Sequence, residues 1–80
     1  MSETDLKTVY GMFTDSWRLF KKYSDIQQTD NARWEQLVEE SGQIAKAYGN
    51  CKLVRGLLLA ATDELAQRSK EVRGNADTAV

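Results

Sequence analysis

Apolar residues in the first third of the chain recur in steps of four and three: Leu6, Tyr10, Phe13, Trp17 and Phe20. Side chains at that spacing stack along one face of an α-helix. Wound at about 100° per residue, the segment gathers Leu6, Val9, Tyr10, Met12, Phe13, Trp17, Leu19, Phe20 and Tyr23 into an arc of roughly 180°. Lys7, Gly11, Thr14, Asp15, Arg18, Lys21 and Lys22 fill the other side. The pattern predicts a helix over about 4–24. The run SDIQQTD (24–30) then breaks it with residues that favour turns and caps.

Thr29, Asp30 or Asn31 suits the N-cap of a second helix, over about 30–48. Its apolar stripe is Trp34, Leu37, Val38, Ile44, Ala45 and Tyr48, with Ser41 in the middle, while Glu35, Glu39 and Glu40 face outward. Gly49 fits a left-handed C-terminal cap, and Asn50 is placed to cap a third helix directly. That helix, over about 51–73, sets Leu53, Val54, Leu57, Leu58, Ala61, Leu65 and Val72 on one side. Arg68, Lys70 and Arg73 favour its C-terminal dipole, Gly74 reads as the stop, and 74–80 as a frayed tail. Three amphipathic helices with short joins predict an all-α fold, a compact antiparallel three-helix bundle in a single domain over 1–80. The absence of proline in 80 residues agrees with long uninterrupted helices. In so small a bundle, the aromatics of the first helix are expected in the core, where bulky rings supply much of the burial.

Charge and composition narrow the chemistry. Eleven basic and twelve acidic side chains leave a net charge of −1, without the basic excess that phosphate neutralisation asks of a nucleic-acid binder. Histidine is absent and Cys51 is the single cysteine. The commonest general base, the commonest metal ligand and any intramolecular disulfide are therefore missing, and a reducing, cytoplasmic setting is expected. The N-terminal run MSETDLKTVYG lacks the pattern of a signal peptide, and GLLLAA (56–61) is far too short to cross a bilayer, so a soluble chain without a membrane is expected.

No residues propose themselves for catalysis, a cofactor or a metal. Cys51 stands near a predicted helix N-terminus, where a thiol's pKa can fall, but it also edges the apolar stripe, as a structural cysteine does. The neighbours Glu39 and Glu40, like Asp63 and Glu64, point about 100° apart on a helix and share no site. The five glycines are too scattered for a phosphate loop. The chain does not read as an enzyme.

Interaction surfaces remain. Leu59 falls on the polar side of the third helix, between Arg55 and Lys70 in projection, and is the first candidate anchor for a protein partner or a second copy of the chain. Met12, Leu19 and Tyr23, at one margin of the aromatic arc, form a second candidate if two neighbouring helices cannot cover the whole arc. Arg18, Lys21 and Lys22, with Lys7, make a basic strip for the alternative of nucleic-acid binding. A homo-oligomer whose clefts bind a small nucleotide-like ligand is a third possibility.

WRLFKKY (17–23), Trp34 early in the second helix and CKLVRGLLLAATDEL (51–65) together resemble small helical proteins carried by phages and mobile elements of Gram-positive, Firmicutes-type bacteria. The resemblance covers about residues 9–68 and carries over no site residue. It implies a setting: such proteins often act by occupying a surface of a host protein, including defence components, in the manner of an anti-CRISPR inhibitor or adaptor.

Overall fold

The structure is a computed structural model, described here over residues 1–71. It holds three helices, α1 (Glu3–Lys22), α2 (Asn31–Ala47) and α3 (Lys52–Glu71), with no strand among the described residues. Each pair of helices is in contact, so the fold is an all-α three-helix bundle. The expected Val72, Arg73, Gly74 and tail lie outside the described residues.

Local chemistry sets the ends of the helices. At the start of α1, the Ser2 hydroxyl accepts from the Asp5 N–H at 3.0 Å, and the Asp5 carboxylate accepts from the Ser2 N–H at 3.2 Å. This capping box satisfies two N–H groups that the first turn leaves without helical partners. The helix runs unbroken through Gly11 to Lys22. Asp30 occupies the N-cap of α2 but makes no side-chain cap. Its carboxylate instead accepts from the Gln27 N–H at 2.9 Å, and the Trp34 indole N–H donates to the Gln27 carbonyl at 2.9 Å. Both bonds brace the loop between α1 and α2.

The α2–α3 join is a Schellman turn. The Asn50 N–H reaches the Ala45 carbonyl at 2.7 Å and the Gly49 N–H reaches Lys46 at 3.0 Å. Gly49 takes φ +72° as expected, and Asn50 also takes a positive φ, of +55°, a region asparagine tolerates better than most residues. Asn50 therefore ends α2 rather than capping α3. Cys51 stands at that cap, its carbonyl accepting from the Arg55 N–H at 3.2 Å.

Two tyrosines fix the direction of α2. Tyr23, just past α1, donates to Glu40 at 2.8 Å, and Tyr48, just past α2, donates to Asp15 at 2.6 Å. The end of each helix thus meets the body of the other, and the two run antiparallel. Tyr48 also accounts for Gly11: a Cβ there would stand 2.6 Å from the Tyr48 hydroxyl oxygen. The short join over 48–51 turns α3 back alongside α2, where Ser41 and Ala45 share a groove with Arg55 and Thr62.

The core consists of Met12, Leu19, Tyr23 and Ile26, Leu37 and Ala45 of α2, and Val54, Leu58 and Leu65 of α3. Leu37 and Val54 are fully enclosed, and each such aliphatic contributes about 1.5–3 kcal/mol by leaving water. Phe20, Trp34, Ile44, Tyr48, Cys51 and Leu57 pack around its edge.

Three expectations are overturned here. Leu6, Tyr10, Phe13 and Trp17 are not core: they remain 54, 72, 51 and 56% exposed. Met12, Leu19 and Tyr23 are not an exposed margin either, since all three are buried and so unavailable as anchors for a partner. Val38 and Leu53, placed in the stripes of α2 and α3, are also exposed. The physical reason lies in α1, whose wide arc is two stripes. Met12, Ser16, Leu19 and Tyr23 centre about 120° round the helix from Leu6, Tyr10, Phe13 and Trp17. Helices approach closely where side chains are small, and the first stripe carries Ser16 and borders Gly11. Three of the second stripe's four side chains are aromatic, and Leu6 and Tyr10 stand on turns of α1 that precede its contacts with Tyr48 and Cys51, so the bundle closes without them.

Candidate functional site

Three surfaces emerge from this packing. The first is the outer seam of α1. Gly11, Asp15 and Lys22 mark the flank of α1 that meets α2. Phe13 and Trp17 lie nearly opposite, about 160–180° away from Asp15. On α3 the flank toward α2 carries Arg55, Leu59 and Thr62, and Leu53 and Leu57 project to the other side. The seam and the Leu53–Leu57 pair therefore belong to the same side of the bundle, the side away from α2. Lys52, Leu53, Gly56 and Leu57 form a shallow apolar depression there. Trp17 and Phe20 stack with ring centroids 6.0 Å apart and planes 20° from parallel, which holds the indole in place on the surface. With half or more of each side chain open, the seam presents roughly 500 Å² of apolar surface, near the top of what a monomer shows in one patch.

The second surface is the groove between α1 and α2, lined by Asp15, Arg18, Leu19, Lys22, Glu40 and Ile44. Its charges answer one another. Lys22 Nζ lies 2.8 Å from Glu40 Oε2, the same oxygen that accepts from Tyr23. Arg33 pairs with Asp25 at 3.0 Å and donates to the Lys22 carbonyl at 3.1 Å. The Arg33 guanidinium and the Lys22 ammonium also sit 5.1 and 5.5 Å from the centre of the Tyr23 ring, in cation–π range. Titration follows the contacts. The hydrogen bond from Lys22, then that from Tyr23, holds the Glu40 carboxyl below its ordinary range. Burial, reinforced by Glu40, pushes the Tyr23 phenol up, and the Asp15 carboxylate does the same to Tyr48.

Arg18, Lys21 and Lys22, the residues of the nucleic-acid alternative, are all exposed. Only part of their charge is free, however. Lys22 is neutralised by Glu40, and Arg18 shares its groove with Asp15 and Glu40. A strip built from alternating signs has little pull on phosphates.

The third surface is the groove of about 290 Å³ between α2 and α3, lined by Ser41, Gly42, Ala45, Asn50, Arg55, Leu58, Leu59 and Thr62. It brings the expected anchors Leu59 and Arg55 together on one wall, with Leu59 63% exposed. Lys70 is exposed on the same side of α3 but about 16 Å further along the axis, beyond the groove.

Cys51 is half-buried, with its sulfur 3.7 Å from the Met12 sulfur, as suits a structural thiol at the core edge. Among the described residues no cluster of potential ligands is placed to hold a metal ion, and no helix is long and apolar enough to cross a membrane. The functional feature that sequence reasoning missed is the exposure of the α1 seam. Its signal was present: an arc of roughly 180° is wider than a buried helix face needs, and Ser16 and Gly11 mark where neighbours can approach. Comparison with protein-family models, curated proteins and solved structures returned no match.

Proposed function

We infer that the chain is a non-enzymatic protein-interaction module that docks the outer seam of α1 on a second polypeptide. The observation that carries this reading is the exposure of Leu6, Tyr10, Phe13 and Trp17 on a chain whose core is complete without them. Aromatic side chains are the usual anchors of protein interfaces, because each covers a large area at low entropic cost. The Trp17 indole is already stacked on Phe20, so docking it immobilises little that was free. The resemblance to phage-borne helical proteins supports the sharper form of the reading: an inhibitor or adaptor that occupies a surface of a host defence protein. Binding of that kind needs shape and apolar contact, and no bond chemistry.

Capture from nuclease-treated host extract with three tagged forms tests the reading. A stoichiometric protein, either a host protein or an untagged copy of the chain added to the extract, should be retained by the wild type and by Leu59→Asp, and lost by Trp17→Glu. Loss with Leu59→Asp alone would move the docking surface to the α2–α3 groove. Capture indifferent to both substitutions would end the reading.

A further inference from the structure

Resting on that reading, we propose that the polypeptide on the seam is a second copy of this chain, packed antiparallel along α1 about a two-fold axis near Phe13.

The spacing of the seam is close to a palindrome. Leu6 and Phe20 each lie seven residues from Phe13, and Tyr10 and Trp17 lie three and four residues from it. A reversed copy therefore sets Leu6 against Phe20, Tyr10 against Trp17, and Phe13 against Phe13. Apolar residues meet apolar residues along the whole contact, which is the self-complementarity a two-fold interface demands.

Charge selects the same orientation. Glu3 and Lys21 are five helical turns apart and so lie on one edge of the seam. Among the described residues neither forms an ion pair within the chain. Reversal brings Glu3 of each copy beside Lys21 of the other, at both ends of the contact, and opposes the two helix dipoles. A parallel copy would turn this edge toward the opposite edge of its partner, at the same height, and Glu3 and Lys21 would not meet. Area agrees as well. A standard interface covers about 800 Å² on each partner with an apolar centre and a polar rim. The seam supplies the centre, and Lys7, Thr14, Lys21 and the Leu53–Leu57 flank of α3 supply the surround.

Sedimentation equilibrium of the purified full chain over a wide concentration range tests the pairing. The wild type should sediment as a dimer. Phe13→Glu should be monomeric with unchanged helical circular dichroism, and so should Tyr10→Glu, whose side chain is the most open of the seam. Leu59→Asp should remain a dimer. Glu3→Lys and Lys21→Glu should each weaken the dimer several-fold, and the two together should restore it, because the swapped charges pair again only in the antiparallel register. A monomeric wild type, a dimer that survives both Phe13→Glu and Tyr10→Glu, or a double charge swap no better than the single ones would overturn the proposal. The interaction reading fails separately. A monomeric chain whose captured partner is still lost with Trp17→Glu would keep that reading and discard the self-pairing.

Discussion

The two apolar stripes of α1 are built in opposite ways for opposite environments. The buried stripe, Met12–Ser16–Leu19–Tyr23, mixes a flexible thioether, a small hydroxyl, an aliphatic and a phenol. The exposed stripe, Leu6–Tyr10–Phe13–Trp17, is the larger and the more aromatic. By hydrophobicity alone the second would be inside. The first is inside because helices need close approach more than they need bulk, and because it ends on a polar partner at the right place. The Tyr23 hydroxyl is buried only because Glu40 accepts from it, and Glu40 is in turn held by Lys22. A buried polar group with such a partner costs little, whereas ring after ring at an interhelical contact would hold the helices apart.

The contrast can be broken most directly by truncation on each stripe. Leu19→Ala should destabilise the fold by about 2–5 kcal/mol, as large-to-small core changes do, whereas Tyr10→Ala should stay within about 0.5 kcal/mol. Urea unfolding at low protein concentration, where self-association contributes least, measures both. Equal losses would mean that the stripes are not distinct.

Ser16 sharpens the comparison in the other direction. Among the described residues its buried hydroxyl has no hydrogen-bond partner, so the small size of the residue matters and its polarity is a cost. Ser16→Ala keeps the size and should raise stability by about 1 kcal/mol, seen as a higher urea midpoint at unchanged slope.

Gly11 tests the close approach to Tyr48. In the wild type an added methyl at Gly11 collides with the Tyr48 hydroxyl and displaces it from Asp15. With Tyr48→Phe in place, the nearest atom of the ring is 3.5 Å from that methyl, an ordinary contact. Gly11→Ala should therefore be worse in the wild type than in Tyr48→Phe, where it should gain up to about 1 kcal/mol of helix propensity. A four-way cycle of unfolding free energies with no coupling would remove this account of Gly11.

The smallest effect is in the pH dependence of the α1–α2 contact. Glu40 has a lowered folded pKa, so the stability it contributes is complete above its ordinary value of 4.5 and is lost as pH falls through the lower folded value. Acid unfolding should therefore be shallower below pH 4.5 for Glu40→Gln. Tyr48 has the opposite sign: with a raised folded pKa, its contribution is complete below its ordinary value of 10.0 and fades as pH rises beyond it. Tyr48→Phe should flatten the alkaline limb.

Helix number, approximate boundaries and the glycine turn before α3 follow from local rules of spacing and capping, each decided within a few residues. Gly49 is a C-terminal cap in the sequence and in the structure alike. Asn50 was harder, because asparagine serves equally at an N-cap or in the left-handed region, and only the bond to Ala45 chose between them. The Leu59–Arg55 pair was legible as a lone apolar residue among polar ones. The seam was legible only as an arc too wide for one buried face, since periodicity reports that a face is apolar and is silent on which part of it another helix covers.

The sequence by itself determined three amphipathic helices, their order and their tight second join, because propensity, period and capping act over short stretches of chain. Tertiary structure alone decided which stripe of α1 turns inward. That choice depends on contacts between residues far apart in the chain: Gly11 with Tyr48, Asp15 with Tyr48, Tyr23 and Lys22 with Glu40. Whether two helices can close on one another is a matter of shape and polar pairing, to which the hydrophobicity of either helix taken singly does not speak.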